Sequence, residues 1–193
     1  MSSFSTARLF STTGTMARRF AVALGMFLFI LISGRMALAQ NSQAKPSAPC
    51  TSPEYRQFDF WLGDWDTFDA DAPGKIVARN HVTRMADGCA PREVYEQGDG
   101  LVGESFSIYD ATRKVWHQSW VTNHGQLLTI EGTLQGESIV LTGENRSTDG
   151  KMTLIKGTWA RVAQGVQETA ETSSDNGKTW KPLFNIVFRP HKP

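Results

Sequence analysis

The 193 residues carry 20 Lys+Arg and 19 Asp+Glu, a formal net charge of +1, and 40% of them are hydrophobic. The balance is uneven: residues 1–39 hold Arg8, Arg18, Arg19 and Arg35 and no acid, so residues 40–193 keep 16 basic against 19 acidic residues, a formal charge of −3. A mildly acidic body argues against nucleic acid, which needs a basic face, and against electrostatic binding to anionic lipid.

Residues 1–39 read as a cleavable signal peptide. Arg18 and Arg19 precede an uncharged run from Phe20 to Ser33, and Ala37-Leu38-Ala39 supplies a small-residue cleavage site before Gln40. The run falls short of the about 20 apolar residues that span a bilayer. No Cys follows Ala39 to carry a lipid, and Met16 offers a second start. Export to the periplasm or outside the cell, with no stable membrane anchor after cleavage, follows from this reading. It also favours oxidation of Cys50 and Cys89 to a disulfide. The alternative is two separate thiols, which without neighbouring histidines make a poor zinc site. Residues 40–53, polar and proline-bearing, form a flexible tether, and 54–193 the folded domain.

Residues 54–62 predict a short helical turn that packs Phe58, Phe60 and Trp61. From Gly63 onward turn signals punctuate the chain, among them Pro73-Gly74, Asp87-Gly88, Asn123-His124-Gly125, Asp149-Gly150 and Asp175-Asn176-Gly177. Between them apolar and polar residues alternate, the signature of half-buried antiparallel strands. The segments predict ten strands, at 64–71, 75–86, 91–97, 101–109, 114–122, 126–134, 138–145, 151–162, 165–173 and 180–189. Ten short strands with tight turns suit an all-β up-and-down barrel, since closure removes the sheet edges. A two-sheet sandwich is the alternative.

Alternation also assigns faces. Trp116, Gln118 and Trp120 share one, and it should point inward, because two exposed tryptophans would form a sticky patch. Ile76, Ala78, Asn80 and Val82 share another, which puts Asn80 inside. Glu93, Tyr95 and Gln97 share a third. Ser105, Ser107 and Tyr109 share a fourth, with the Phe106/Ile108 face competing for the interior. The apolar faces of the later strands are Leu128, Ile130 and Leu134, then Ile139 and Leu141, then Phe184, Ile186 and Phe188.

Gly63-Asp64-Trp65 at the entry to the first strand resembles the Gly-x-Trp opening of lipocalin-like (calycin) barrels. The longer run Phe58-Asp59-Phe60-Trp61-Leu62-Gly63-Asp64-Trp65-Asp66 is similar to the opening of an uncharacterised bacterial exported branch. So are Tyr109-Asp110, Trp116-His117-Gln118-Ser119-Trp120 and Ser174-Asp175-Asn176-Gly177-Lys178-Thr179-Trp180. The resemblance spans about residues 50–189 and implies a lipocalin-like barrel, leaving the activity open. Gly63 and Trp65 then serve structure: the glycine allows a tight entry and the indole plugs one barrel end. The Ser173–Trp180 stretch also resembles the hairpin box of sialidase propellers. A single copy cannot build a propeller, so Asp175, Gly177 and Trp180 read as a turn device.

Metal and cofactor signals are poor. His81, His117, His124 and His191 form no His-x-His or His-Glu-x-x-His spacing. Haem-binding barrels of the nitrobindin-like type open with G-x-W-x-G-x-G, and this chain lacks the second and third glycines. Asp64, Asp66, Asp69 and Asp71 mostly alternate toward solvent and offer at most loose calcium binding. The expectation is therefore an exported barrel holding a small, mainly apolar molecule, without metal or cofactor. Tyr95, Trp116 and Trp120 are its expected walls, and Asn80, Glu93, Ser105 and Gln118 its polar contacts. Two alternatives stand beside it: a hydrolase or isomerase with Glu93 as acid or base in the same cavity, and a barrel packed with its own side chains and holding no ligand.

Overall fold

The structure is a computed structural model, and residues 49–147 and 149–192 are described here. The expected signal peptide at 1–39 and most of the expected tether at 40–53 lie outside the described residues. Ten antiparallel strands follow one another: β1 (Gly63–Asp69), β2 (Ile76–Met85), β3 (Ala90–Gln97), β4 (Val102–Asp110), β5 (Val115–Thr122), β6 (Leu127–Gln135), β7 (Ser138–Arg146), β8 (Met152–Val162), β9 (Gly165–Ser173) and β10 (Lys181–Pro190). Each pairs with its chain neighbour, and β10 returns to pair with β1. The sheet is therefore a closed up-and-down barrel with no free edge, and the sandwich alternative is excluded. No helix among the described residues is long and apolar enough to cross a membrane.

The interior follows the alternation. Trp65 and Thr67 of β1, Ala78, Asn80 and Val82 of β2, and Trp116 and Gln118 of β5 are buried. On β4 the competition between faces resolves toward the serines: Ser105 and Ser107 are fully buried, while Phe106 and Ile108 are 40% and 42% exposed. The cross-strand partners explain this. Ser105 lies between Glu93 on β3 and Trp120 on β5, and Ser107 lies opposite Gln118. Only a small residue with a hydroxyl both fits among those side chains and satisfies them.

One end of the barrel is stoppered. The helical segment predicted at 54–62 consists of two 3₁₀ turns, Pro53–Arg56 and Asp59–Trp61. They carry Phe58 and Trp61, both fully buried, into the end of the barrel where β1 begins. Phe58 stacks on Trp61 at 5.0 Å between centroids and meets Trp116 and Trp159 edge-on at 5.5 and 5.4 Å. Trp61 also faces Phe188 of β10. Polar contacts fix the stopper's position. The Trp65 Nε1 donates to the Trp61 carbonyl at 3.0 Å, and the Trp116 Nε1 donates to Gln57 at 3.0 Å. Arg84 pairs with Asp59, and Arg56 donates to the carbonyls of Cys50 and Gly88.

Cys50 and Cys89 are joined in a disulfide, which ties the chain just before the stopper to the β2–β3 connection. The bridge closes a loop of sequence separation 39. For a loop of this length the expected stabilisation is about 2–4 kcal/mol. Urea unfolding of the oxidised protein against the Cys50→Ser/Cys89→Ser pair measures it directly. Equal midpoints would show that the bridge adds nothing beyond the packing.

Gly63 permits the stopper's close fit. A Cβ there would lie 2.7 Å from the Trp65 ring, so only glycine lets the indole fold back over the strand entry. The hairpin at 173–180 is also held as a turn. Asp175 accepts from the Thr179 backbone N–H at 2.9 Å and from its hydroxyl at 2.6 Å, while Ser173 donates to it at 2.7 Å. These donors hold its carboxyl at about 2. The Trp180 Nε1 donates to the Gly177 carbonyl, and the Lys156 ammonium lies 4.4 Å over the Trp180 ring.

Candidate functional site

With one end stoppered, the space inside the barrel lies toward the other end. It forms a cavity of about 490 Å³, within the range of small-molecule sites. Its walls come from strand positions nearest the connections β1–β2, β3–β4, β5–β6, β7–β8 and β9–β10. Tyr95 and Trp120 form one side, with ring centroids 6.0 Å apart and edge-on. Leu128, Ile130, Ile155, Ile186 and Phe184 supply the aliphatic and aromatic remainder, and Trp159 separates the cavity from the stopper.

The expected site residues divide into three groups. Glu93, Tyr95, Gln118 and Trp120 line the cavity. Asn80 and Ser105 are buried behind Glu93, where their side chains act on its carboxyl. Trp116 sits in the stopper against Phe58 and Tyr109 and does not line the cavity. Its separation from Trp120 is a matter of length: four residues of strand span roughly 13 Å, so the same face serves both stopper and cavity.

Glu168 and Trp159 are among the cavity residues that the sequence reading did not name. Glu168 of β9 points inward between Val166 and Ala170, whose burial fixes that face. Trp159 lies directly opposite Glu168 on β8. Trp159 is also the second Gly-x-Trp of the chain. A Cβ on Gly157 would lie 2.7 Å from the Trp159 ring, as a Cβ on Gly63 would from Trp65. Gly103 does the same for Trp120 from the neighbouring strand, at 2.2 Å. Each of these inward indoles lies over a glycine, and that pairing was a readable signal.

Electrostatically the cavity is one-sided. Among its lining residues are Asp69, Glu93 and Glu168, and no lysine, arginine or histidine. Glu93 is 5% exposed and accepts a 2.8 Å hydrogen bond from the Ser105 hydroxyl. Burial pushes its carboxyl up to about 7, while the Ser105 and Asn80 side chains pull it back. Glu168 is raised too, first by burial and then by the nearby Glu93 charge, with Trp159 acting in the opposite sense. It is half-buried, its free surface belonging to the cavity. The Asn80 amide and the Trp159 Nε1 act on these carboxyls, yet neither makes a hydrogen bond of normal geometry. Tyr95 is pushed up to about 12 by burial and by the charges of Glu168, Glu93 and Asp99, so it stays a neutral phenol. Its hydroxyl donates to Gln97 at 3.2 Å, and the Gln118 amide donates to Ser107 at 3.1 Å.

No known family model and no curated protein matches the chain. Among the described residues no group of three or more His, Cys, Asp or Glu is placed to hold a metal ion. Outside the barrel, Asp66 is taken by Arg79 at 2.7 Å and by His191 at 3.1 Å, and His117 by Glu131 at 2.8 Å. The chemistry the cavity can perform is enclosure of an apolar molecule, charge complementation by carboxylates, and proton transfer at Glu93 or Glu168.

Proposed function

We propose that this protein is an exported, lipocalin-like barrel that binds a small, mainly apolar molecule in the cavity at its unstoppered end. The observation that carries the reading is the cavity of about 490 Å³ bounded by Tyr95, Trp120, Trp159 and aliphatic side chains. A barrel packed with its own side chains would use those residues to fill the space. Here the aromatic filling is concentrated in the stopper and stops at Trp159. Ligand sites are built in this way, apolar with a few convergent polar groups, and barrels of this size can enclose one small ligand.

The test is titration of the purified protein with Nile red, a neutral apolar dye, followed by native mass spectrometry of the complex. One dye per chain is expected, displaced by the molecule that co-purifies from the native source. Trp120→Ala removes an aromatic wall without touching the stopper, and should weaken dye binding about tenfold, or about 1.4 kcal/mol. A protein that stays bare with the dye and with apolar extracts overturns the reading.

A second reading is favoured by one observation. A carboxyl held at about 7 inside a cavity is poised for general acid–base work at neutral pH. On that reading the captured molecule is converted, and Glu93→Gln abolishes conversion while binding persists. Recovery of the native ligand chemically unchanged after prolonged incubation speaks for binding alone.

A further inference from the structure

The cavity's charge selects among apolar molecules. Three carboxyl-bearing residues, Asp69, Glu93 and Glu168, line it without one cationic side chain. Every ion pair found among the described residues lies elsewhere, and neither Glu93 nor Glu168 takes part in one. Two carboxyls on β3 and β9 thus face a common space with no counter-charge. Such an arrangement is costly unless a proton or an external cation supplies the balance.

A second feature points the same way. The Asn80 amide, 1% exposed, and the Trp159 Nε1, 2% exposed, are buried donors without a partner of normal geometry, and both bear on the two carboxyls. Donors so placed favour the ionised forms of Glu93 and Glu168 once a cation balances the charge. The aromatic faces of Tyr95, Trp120 and Trp159 around them also suit a positive group.

We propose that the ligand is an apolar amine, its ammonium seated between the Glu93 and Glu168 carboxylates and its hydrocarbon body along Trp120, Ile130 and Ile186. This rests on the binding reading above and names the ligand class within it. A primary ammonium brings three N–H donors, enough to bond both carboxylates, and charge-assisted bonds of this kind are the strong ones. A neutral alcohol of the same length leaves one carboxyl protonated and the other unpaired. A carboxylic acid adds a third like charge.

Protons move with the ligand. In the empty cavity the pair retains a proton at neutral pH, because burial and mutual repulsion oppose double ionisation. The arriving ammonium takes the place of that proton, which leaves to solvent, so amine binding strengthens as pH rises from 5 to 8. The groups facing the pair are Asn80 on β2, Tyr95 on β3, Ser105 on β4, Gln118 on β5 and Trp159 on β8, with Asp69 on β1 at the mouth. Of these, Asp69 and Tyr95 are the ones with ionisable side chains. The phenol of Tyr95 stays protonated throughout this range.

The experiment is calorimetry of the whole protein with n-octylamine, n-octanol and n-octanoate at pH 5.0 and 7.5, each in two buffers of different ionisation enthalpy. The expected result at pH 7.5 is octylamine binding at least about tenfold tighter than octanol, octanoate weaker than either, and proton release with the amine alone. At pH 5.0 the amine's advantage shrinks. Glu168→Gln and Glu93→Gln should each cut the amine preference about tenfold while octanol binding persists, which also shows the variants folded. Equal binding of amine and alcohol, or a preference untouched by both substitutions, overturns the amine assignment and leaves the cavity reading standing. Failure of all three chains to bind overturns both.

Discussion

Phe58→Ala should cost about 4 kcal/mol, more than any other single truncation in the molecule, and more than Trp61→Ala although tryptophan is larger. Phe58 is fully buried and touches four aromatic rings: Phe60, Trp61, Trp116 and Trp159, all with centroids within 5.7 Å. It carries no polar atom. Truncation therefore loses the full transfer free energy and leaves a cavity whose walls belong to three different segments, the second 3₁₀ turn, β5 and β8, and cannot all collapse. Trp61 is equally buried, but its Nε1 has no hydrogen-bond partner. Removing an orphaned donor returns about 1 kcal/mol or more, so Trp61→Ala should net about 3 kcal/mol and Trp61→Phe less than about 1. Urea unfolding followed by far-UV circular dichroism gives all three values, with an unchanged slope required for the comparison. If Phe58→Ala costs under about 1.5 kcal/mol, the 3₁₀ turns are a loosely laid lid and the barrel closes without them.

The ordering matters for function as well as stability. The stopper decides which end of the barrel is free, and so which half of each strand faces the cavity. The sequence could not show this. Alternation identifies the inward face of a strand, yet every inward position looks alike until something fills one end. Trp116 and Trp120 show the limit: one face and one spacing, but one ring in the stopper and the other on the cavity wall. The stopper itself was half legible. The aromatic run at 58–61 announced a packing role for a helical turn, but its partners Trp159 and Phe188 lie about 100 or more residues away, and only closure of β10 on β1 brings them there.

The strands were legible because glycine- and aspartate-bearing turns punctuate the chain at nearly every reversal. The predicted ends agree with β2 to β10 to within one residue. The buried Asn80 and Gln118 followed from alternation, since each shares its face with better-marked apolar neighbours, whereas Glu93 shares its face only with Tyr95 and Gln97 and the Ser105 face competed with Phe106 and Ile108 until the structure placed it inside. Glu168 escaped although Val166 and Ala170 flank it at the same period, because a glutamate among Gln167, Thr169 and Glu171 looks like part of a solvated strand. Its inward position becomes clear only beside Trp159, its cross-strand partner. The Cys50–Cys89 bridge was readable as a possibility from two cysteines in a chain whose leader reads as an export signal. The choice between bridge and separate thiols needed the stopper to bring Cys50 to the β2–β3 connection.

The same buried carboxyl that suits a cationic ligand weakens the empty protein, and this sets the second large effect. Glu93 has an ordinary value of 4.5 when exposed and about 7 in the barrel, with burial as the main cause. Below about pH 4.5 both folded and unfolded chains hold the proton, and the residue contributes nothing to pH dependence. Between 4.5 and 7 the folded chain keeps a proton that the unfolded chain has released, so stability falls as pH rises through that window. Above about 7 the penalty is complete, on the order of 3 kcal/mol. Glu93→Gln keeps the shape and an acceptor for the Ser105 hydroxyl but never ionises. It should match the parent at pH 4.5 and exceed it by about 2–3 kcal/mol at pH 8 in the absence of ligand. Part of that gain comes from Glu168, which loses its like-charged neighbour. Chemical denaturation across pH 4.5 to 8 measures the difference. A constant offset between variant and parent would mean that Glu93 reaches solvent and titrates normally, and a variant weaker at pH 8 would mean that the ionised carboxylate is already balanced by a group inside the barrel. A falling parent curve and a flat variant curve would identify a barrel that gives up stability at neutral pH to keep an unpaired negative charge facing its cavity, where a cationic ligand can restore it.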